Sequence, residues 1–312
     1  MEQQKNMPVI VFGSINLDIA LGVDHLPVPG ETVLTEGYQA VPGGKGCNQA
    51  VAAAKLGADT RMVGAVGDDA WAAIPMQAMQ AAGVDTADVR LADKPTGLAA
   101  VMVADDGQNS IIVASGANRA VLASQMNDIR TGDVLVCQME VPFEETADAL
   151  LKAKAAGAVT VLNLAPFGEL PPRAWGAVDY WLVNELEGKS LAEQIGLMAV
   201  IEPAALAEHL SDRLKATVIM TLGGDGAVAV EANGTVWRVP VLPVEVVDTT
   251  GAGDAFTGGL AAALAKGESL PDALRLASAA GALACTGFGA QTSLPTADDA
   301  ANVVNRIRVI LR

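Results

Sequence analysis

The chain of 312 residues is long for one simple domain and suits one large α/β unit with a smaller appendage. Its hydrophobic content of 51% provides material for a sizeable core. The formal net charge of −16 argues against nucleic acid as a partner, because no basic excess is available to neutralise phosphates. A bound nucleotide would instead have to be held locally, by backbone amides, a few cations and metal ions.

Three cysteines lie far apart in the sequence, at Cys47, Cys137 and Cys285, and the two histidines are isolated. This scatter fits no zinc spacing and indicates a reducing compartment. The N-terminal apolar run is too short for a signal peptide, and no apolar run approaches the ~18 residues of a membrane span. We therefore expect a cytoplasmic protein with no membrane contact.

The predicted elements begin with a strand at 8–13, whose continuous apolar character is typical of a strand covered on both faces. Four short strand-like runs differ from the rest and predict a small separate sheet over one edge of the molecule. They span residues 17–23, 33–41, 96–104 and 109–114, and the last two form a hairpin. Between them we expect a helix at 48–56, a strand at 60–66 and a helix capped by Asp69.

From residue 134 strands and helices alternate, a pattern that predicts a mostly parallel central sheet with helices on both faces, an α/β fold. A further strand is expected at 241–247, where β-branched residues precede a glycine-rich turn. The other predicted strands are 134–138, 159–163, 180–183 and 217–222, and the predicted helices are 142–156, 185–195, 203–214, 252–265, 271–285 and 297–310.

Residues 248–260, DTTGAGDAFTGGL, predict a glycine turn that opens a helix near Ala252. Gly251 and Gly253 allow the chain to turn sharply and to approach a ligand closely. The free N–H groups of the first helical turn and the positive end of its dipole form a site for an anion. Asp254 in that turn either favours the helix dipole or, beside a phosphate-sized anion site, accepts the proton of a hydroxyl that attacks a phosphoryl group.

Other polar clusters follow predicted strands. Asn16 and Asp18 follow the first strand, where ligands bind in open α/β sheets, although ordinary turn residues are the alternative. In 184–187, NELE, Glu187 would suit a hydrated Mg²⁺ or merely favour a helix N-terminus. The glycines of 221–226, TLGGDG, permit close approach by a nucleotide or simply form a turn, and no GxGxxG supports a dinucleotide.

The glycine-rich segment 43–48, GGKGCN, leads into a helix and superficially suggests a P-loop. Gln39 and Gly46 exclude a Walker loop, which needs Gly and then Ser or Thr at those two positions. Lys45 and Asn48, at the start of the helix, remain candidates for binding a small polar ligand.

Taken in order, these clusters resemble the ribokinase (PfkB-type) family of sugar kinases. The matching motifs, from about Val9 to Pro295, are GSINLD, PGET, GGKGCNQA, QMEVP, NLAP, NELE, TLGGDG, DTTGAGDAFTGG and GAQTSLP. GGKG and DTTGAGD are highly specific, whereas TLGGDG and NELE are weaker singly. The resemblance implies a Rossmann-like ribokinase fold, with 1–15, 43–95 and 116–312 in an α/β domain and 16–42 and 96–115 in a small β lid.

The resemblance also implies an enzyme that transfers phosphate from ATP to the 5-hydroxyl of D-ribose. Asp254 would be the base that receives the hydroxyl proton. The amides of Gly251, Ala252 and Gly253 would stabilise charge on the transferring phosphoryl group. The sugar hydroxyls would be held by Asn16, Asp18, Gly44, Lys45, Asn48 and Glu140, and the ATP site would be lined by Asn184, Thr221, Gly223, Gly226 and Ser278.

Two metal ions and a homodimer are implied in the same way. Glu187 would hold Mg²⁺ through water. A monovalent cation, usually K⁺, would bind beside the anion hole to Asp248, Thr250, Ala284, Gly287, Gly289 and Ser293. The lid would cover the sugar and also form the dimer interface.

The sequence departs from the family pattern at a few positions. Ser278 stands where an asparagine near adenine is frequent, and Gly287 and Phe288 stand where basic residues are common. Cys47 lies within the sugar loop, where it is either sensitive to thiol reagents or buried and inert. Three hypotheses remain: a D-ribose kinase; the same chemistry on fructose, a deoxysugar, a sugar acid or a nucleoside; and a sugar-binding protein without activity.

Overall fold

The structure is a computed structural model that describes residues 7–197 and 202–312. Its strands are β1 Val9–Phe12, β2 Asn16–Val23, β3 Gln39–Gly43, β4 Thr60–Gly67, β5 Asp85–Ala92, β6 Gly97–Ala104, β7 Asn109–Ala114, β8 Val134–Cys137, β9 Val159–Asn163, β10 Tyr180–Asn184, β11 Thr217–Thr221, β12 Ala227–Val230, β13 Val236–Val239 and β14 Ile310–Leu311. The helices are α1 Lys45–Lys55, α2 Ala73–Ala81, α3 Phe143–Ala156, α4 Glu185–Gln194, α5 Pro203–Leu214, α6 Ala252–Ala265, α7 Leu270–Ala284 and α8 Ala297–Val303.

The central sheet has ten strands in the order β14-β13-β12-β11-β10-β9-β8-β1-β4-β5. The strands from β5 to β11 along this order are all parallel to their neighbours, and β12, β13 and β14 add antiparallel pairs at one edge. A mostly parallel sheet brings the carboxyl ends of its strands to one side, where polar loop residues converge. The predicted α/β fold is confirmed.

Helices cover both faces of this sheet, as the apolar strand sequences require. Successive residues of β1 point to opposite faces, so Ile10 and Phe12 enter one core cluster whereas Val9 and Val11 enter the other. The first cluster packs against α3, α4 and α5, and the second packs against α1, α6 and α7. None of the helices within the described ranges combines the length and the apolar composition needed to cross a lipid bilayer.

The four-stranded second sheet has the order β3-β2-β6-β7 and confirms the predicted separate small sheet. The β6–β7 hairpin is antiparallel, as predicted, whereas β2 runs parallel to β6. Residues Asn16 and Gly43 pair at the end of this sheet that adjoins the start of α1. The small sheet thus begins at the two segments that carry the predicted sugar ligands.

Several predicted boundaries were wrong. The strand expected at 33–41 is confined to β3, and residues 31–38 have no strand structure. The strand expected at 241–247 does not form, because Pro240 and Pro243 lack the N–H donors that a ladder needs. The helix expected at 297–310 ends at Val303, and β5, a charged edge strand, was not predicted.

Candidate active site

Asp254 lies in the first turn of α6, at the carboxyl side of the parallel sheet. Gly251 caps this helix with φ of 80°, a left-handed conformation that glycine adopts without steric cost. The Asp254 side chain is only 6% exposed. A buried carboxylate without a cationic partner must be satisfied by hydrogen bonds, so its neighbours decide how it is held.

Two side-chain amides of α1 hold that carboxylate. Asn48 Nδ2 donates to Asp254 Oδ2 at 2.9 Å, and Gln49 Nε2 donates to Asp254 Oδ1 at 2.8 Å. Helix α1 begins at Lys45, three residues before its predicted start, and this earlier start places Lys45, Asn48 and Gln49 at helical positions i, i+3 and i+4. Residues at that spacing share one face of a helix, which here faces Asp254.

A second layer of amides orients these two donors. Gln291 Nε2 donates to Asn48 Oδ1 at 2.8 Å, and Gln138 Nε2 donates to Gln49 Oε1 at 2.7 Å. Gln49 Nε2 also donates to Asn163 Oδ1 at 3.0 Å. Each of these side chains is at most 8% exposed, so the network is sheltered from water.

A cluster of polar side chains near Asp254, which we call the chamber, comprises Asn16, Asp18, Lys45 and Glu140. Glu140 Oε2 accepts hydrogen bonds from the Lys45 backbone N–H at 3.0 Å and from Ser14 Oγ at 2.5 Å. Asp18 Oδ1 is buried and has no hydrogen-bond partner within the described chain. Such an orphaned acceptor is a position where a ligand hydroxyl would donate.

The charges of this chamber perturb one another. Burial, followed by repulsion from Glu140 and Asp254, raises the pKa of Asp18 to about 7. Burial by itself lowers the pKa of the Lys45 ammonium, but attraction to Asp254, Glu140 and Glu187 outweighs it, and the net pKa is raised. Lys45 is therefore a fixed positive charge among several carboxylates.

The GGKG loop contains glycine because the backbone is crowded there. A Cβ on Gly44, at φ of 87°, would lie 2.8 Å from the Asn16 backbone nitrogen. One on Gly43 would lie 2.1 Å from the Asp18 carboxylate. Both glycines allow the loop to pack against the segment that carries Asn16 and Asp18, and they bring the two sugar-site motifs together.

A cavity of about 660 Å³ extends from the chamber toward α3 and the small sheet. Asn16 and Glu140 line it on the side of the chamber. Asn16 is oriented there by Asn118, whose Nδ2 donates to Asn16 Oδ1 at 2.7 Å. The remaining lining includes Val113 of the lid and Phe143 at the start of α3.

A second cleft, of about 270 Å³, lies on the other side of the α6 N-terminus. It is lined by four of the predicted nucleotide-site residues, Thr221, Gly223, Gly226 and Ser278, together with Ala252 and Gly253 of the glycine turn. Apolar walls from 241–246 and from α7 complete it, as suits an adenine ring between a few polar groups. Asp254 directly follows Gly253 of the cleft lining and binds Asn48 of α1, so it lies at the junction of the cleft with the segment that carries Lys45.

The glycines at this junction serve two different purposes. A Cβ on Gly251 would lie 2.7 Å from the Ala290 carbonyl oxygen, and one on Gly226 would lie 2.1 Å from the Val239 carbonyl oxygen. Those two positions need glycine for backbone packing. A Cβ on Gly253 or Gly223, in contrast, would meet no atom within 4 Å. These two glycines border open space where a ligand can approach the backbone.

The donors of the turn are not equivalent. The Ala252 amide donates to the Thr249 carbonyl oxygen at 3.2 Å. Within the described residues, the amides of Gly251, Gly253 and Asp254 have no hydrogen-bond acceptor. Three open donors at a helix N-terminus are the arrangement expected for an anion site, and the Asp254 amide is a donor that was not predicted.

Comparison with known proteins identifies the family of this chain. The model of the pfkB family of carbohydrate kinases matches residues 7–297. The chain belongs to the pfkB family of carbohydrate kinases. It is thus a phosphotransferase, and the predicted family membership is confirmed.

Three ribokinases are similar to this kinase over nearly their whole length. The ribokinase of Bacillus subtilis is 37% identical over 296 residues, which cover 93% of this chain and 97% of the relative. The crystal structure of ribokinase from Thermotoga maritima has a TM-score of 0.87 at 31% identity and covers 96% of this chain and 100% of that one. Arabidopsis thaliana ribokinase complexed with ribose and ATP has a TM-score of 0.85 at 31% identity, with 96% and 99% covered.

The predicted magnesium ligand of this carbohydrate kinase also caps a helix. Glu187 Oε2 accepts the Asn184 N–H at 2.8 Å while Asn184 Oδ1 accepts the Glu187 N–H at 2.8 Å, a capping box at the start of α4. Burial raises the pKa of Glu187 despite the Asn184 amide and Lys45. The described residues hold no cluster of three or more histidine, cysteine or acidic side chains suited to a metal.

The predicted cation loop of the kinase is organised around Asp248. Its Oδ1 accepts hydrogen bonds from the Thr250 N–H at 2.9 Å and from Thr250 Oγ1 at 2.7 Å, and its Oδ2 accepts the Gly289 N–H at 3.0 Å. Burial alone raises the pKa of Asp248, but these hydrogen bonds outweigh it and lower the pKa. Ser293 Oγ donates to the Gly289 carbonyl oxygen at 2.7 Å, and Ala284 and Gly287 lie at the start of the same loop.

Several residues of the site were not predicted individually. Gln49, Gln138, Asn163 and Gln291 all lie within the quoted motifs GGKGCNQA, QMEVP, NLAP and GAQTSLP, yet only contacts between distant segments reveal their connection to Asp254. Neutral amides carry no charge pattern and no diagnostic spacing. Gln138 and Asn163 each end a predicted strand, and that position was the available signal for these two.

Proposed function

We propose that this kinase transfers the γ-phosphoryl group of ATP to the 5-hydroxyl of D-ribose, giving ribose 5-phosphate and ADP. The observation that carries the proposal is the position of Asp254, a buried carboxylate that binds Asn48 of α1 and directly follows Gly253, whose open amide belongs to the cleft lining. That arrangement suits the transfer of a phosphoryl group from a nucleotide on one side to an alcohol on the other.

The choice of ribose rests on the relatives. The Bacillus subtilis relative is a ribokinase, and the Arabidopsis thaliana neighbour is complexed with ribose and ATP. The unpartnered Asp18 carboxylate, the Asn16 amide and the Lys45 ammonium provide acceptors and donors for vicinal hydroxyls. Glu140, with its Oε2 already engaged by Ser14 and Lys45, provides a further acceptor.

Asp254 removes the proton from the attacking hydroxyl during transfer. The ribose oxygen forms a bond to the γ-phosphorus as the bond from that phosphorus to the β-bridging oxygen breaks, and ADP leaves with the electron pair. A carboxylate placed within reach of the hydroxyl contributes about 10²–10⁴-fold to such a step. Asn48 and Gln49 keep its plane fixed so that little reorganisation is needed.

The amides of the glycine turn stabilise the charge on the transferring group. The N–H groups of Gly251, Gly253 and Asp254 have no acceptor within the described residues, and Ala252 contributes once its hydrogen bond to Thr249 lengthens or is shared. The α6 dipole adds positive potential at the same point. Lys45 supplies a full positive charge from the chamber side.

The residues present fit both metal ions that the family implies. Glu187 Oε1 has no hydrogen-bond partner within the described chain, which suits one carboxylate contact, through water, to a Mg²⁺ held mainly by phosphate oxygens. The ligands for K⁺ would all be oxygen atoms, as this ion requires. They would come from Asp248 and from the loop that contains Ala284, Gly287, Gly289 and Ser293. Mg²⁺ would neutralise phosphate charge, and K⁺ would steady the loop that packs against Gly251.

A homodimer formed through the lid completes the proposal. Ile111, Ile112 and Val113 of β7 are 55%, 64% and 47% exposed, an apolar strip on an edge strand of the small sheet. A second copy of the chain covering this strip would bury it above the sugar site. We also place the enzyme in the cytoplasm, where ATP is available and the three free thiols stay reduced.

A coupled assay of ADP release with ATP, Mg²⁺ and K⁺ tests the substrate. D-Ribose should give the highest kcat/KM in a panel that includes fructose, deoxyribose, keto-deoxy sugar acids and nucleosides. A clear preference for another acceptor would reject ribose while leaving the kinase intact. Binding of ATP and ribose without turnover of any acceptor would instead support a sugar-binding protein without activity.

A further inference from the structure

Beyond the predicted ligands, the described chain holds a buried row of side-chain amides that ends at Asp254. Gln138 follows β8 and Asn163 ends β9, and the parallel register of these strands places the two side by side. Gln49 of α1 reaches between them, with Nε2 on Asn163 Oδ1 and Oε1 on Gln138 Nε2. Gln49 and Gln138 are both 0% exposed.

The direction of each amide in this row is determined by the carboxylate. An ionised carboxylate only accepts hydrogen bonds, so Gln49 must present its Nε2 to Asp254 Oδ1. The Gln49 oxygen then faces away and accepts from Gln138. Turning the Gln49 amide over would set its oxygen against the carboxylate and its nitrogen against the Gln138 nitrogen, so only the present orientation gives both ends of the Gln49 amide a partner. Within the described residues, Gln138 Oε1 has no hydrogen-bond partner.

We propose that Gln49 is the positioning residue of the reaction, holding the Asp254 carboxylate at the angle from which it accepts the substrate proton, with Gln138 and Asn163 fixing Gln49 in turn. This inference rests on the proposed role of Asp254 as base. Gln49 itself lines neither the chamber cavity nor the nucleotide cleft, so it acts on the reaction through Asp254 alone.

The geometry distinguishes Gln49 from the parallel contact made by Asn48. Asn48 is 5% exposed and is also an implied sugar ligand, so its loss would alter substrate binding as well as Asp254. Gln49 is a more selective probe of Asp254 positioning than Asn48, because its side chain is fully buried. Removing its donor should reduce turnover and leave the affinities for sugar and nucleotide largely unchanged.

Gln49→Met keeps the length of the side chain and removes the donor, and Gln49→Glu keeps the shape and replaces the donor by an acceptor. We expect kcat to fall about 10- to 100-fold in each, as for the loss of one hydrogen bond to a charged group. The Kd values for sugar and ATP, from calorimetry, should stay within about threefold of the parent, a split between turnover and binding that general unfolding would not produce.

Gln80→Met is the matched control, since Gln80 is an exposed helical glutamine of α2, and it should retain the parental kcat. Gln138→Met removes only the partner of Gln49 and should cost about 3- to 10-fold in kcat. If Gln49→Met does not fold, Gln138→Met still tests the positioning role of Gln49.

A parental kcat in folded Gln49→Met and Gln49→Glu, or a raised KM at unchanged kcat, would overturn the positioning role. So would a parental kcat in Gln138→Met if the Gln49 variants fail to fold. A parent enzyme that phosphorylates no acceptor would instead reject the proposed function, so the two failures are distinct.

Discussion

Asn48 Nδ2 donates to Asp254 Oδ2 across 2.9 Å although the two residues are 206 positions apart in the chain. The bond joins α1, which begins beside the chamber, to α6, which begins at the cleft of about 270 Å³. One carboxylate is thereby tied to both halves of the site. Any change in the charge of Asp254 must alter its hydrogen bonds with the surrounding side-chain amides.

Asp254→Asn should lower kcat by about 10²–10⁴-fold while ribose and ATP still bind, because the base is lost but the chamber and cleft remain. Its new amide nitrogen would face an N–H donor of Asn48 or Gln49, and one of them would have to turn. We expect the free energy of unfolding to fall by about 1–3 kcal/mol. Single-turnover kinetics and denaturant unfolding measure the two effects.

Asp298→Asn is the control for Asp254→Asn, because Asp298 is an exposed aspartate in the first turn of α8. It should leave turnover unaltered. An Asp254→Asn enzyme within a few-fold of the parental rate would remove Asp254 from its role as base.

The glycine turn offers a pair of opposite outcomes. Gly253→Ala adds a methyl group in open space within a helix, so the melting temperature should hold or rise slightly while kcat and ATP affinity fall. Gly251→Ala forces a side chain onto φ of 80° and against Ala290, and should destabilise the fold by about 1–3 kcal/mol.

Thermal melts and steady-state kinetics of the two glycine variants, run side by side, separate these effects. Full activity in Gly253→Ala would show that no phosphate approaches that amide.

Asp18 makes the stability of the sugar-free enzyme depend on pH. The pKa of Asp18 is about 7 in the folded protein, against the ordinary value of 3.8 that applies to the unfolded chain. The folded chain therefore binds the proton more tightly. The contribution of Asp18 to the free energy of unfolding is therefore greatest at acid pH. It falls as the pH rises from about 4 to about 7 and is constant above that. Relative to the parent, Asp18→Asn should change the melting temperature in the stabilising direction at pH 8 compared with its effect at pH 5. It should also weaken ribose binding.

Asp298→Asn, at the exposed aspartate of α8, is again the comparison variant for Asp18→Asn. Equal shifts at pH 5 and pH 8 in Asp18→Asn would contradict the raised pKa.

Replacing K⁺ by Na⁺ or a bulky organic cation should depress activity, because the loop around Asp248 packs against the glycine turn at Ala290. Asp248→Asn should raise the K⁺ concentration needed for half-maximal activity, measured as initial rates in a K⁺ titration. Rates indifferent to the cation in the parent would count against a cation at this loop.

Thiol labelling should distinguish Cys47 from Cys285. Cys47 is 0% exposed and burial raises its pKa to about 12, so it should resist iodoacetamide in the folded enzyme. Cys285 lines the nucleotide cleft and is partly exposed, so it should label first and be protected by ATP. Peptide mass spectrometry gives both results, and early labelling of Cys47 would show that the sugar loop opens.

Local patterns predicted most of the fold because each strand and helix carries its own signal. The helix of 252–265 and the strands of 109–114 and 159–163 were predicted to the residue, since caps, glycines and β-branched runs mark their ends. Prolines at 240 and 243 overrode the β-branched residues around them. The strand at 85–92 escaped notice because its charged residues suit an edge position that only the assembled sheet defines.

The amino-acid sequence by itself determined the family, the α/β class, the glycine turn and the position of the acid within it, because these depend on local backbone freedom and on ordered motifs. Only the tertiary structure decided what holds that acid. Gln49, Gln138, Asn163 and Gln291 come from four distant segments, and neutral amides acquire a direction only when a buried carboxylate is packed against them.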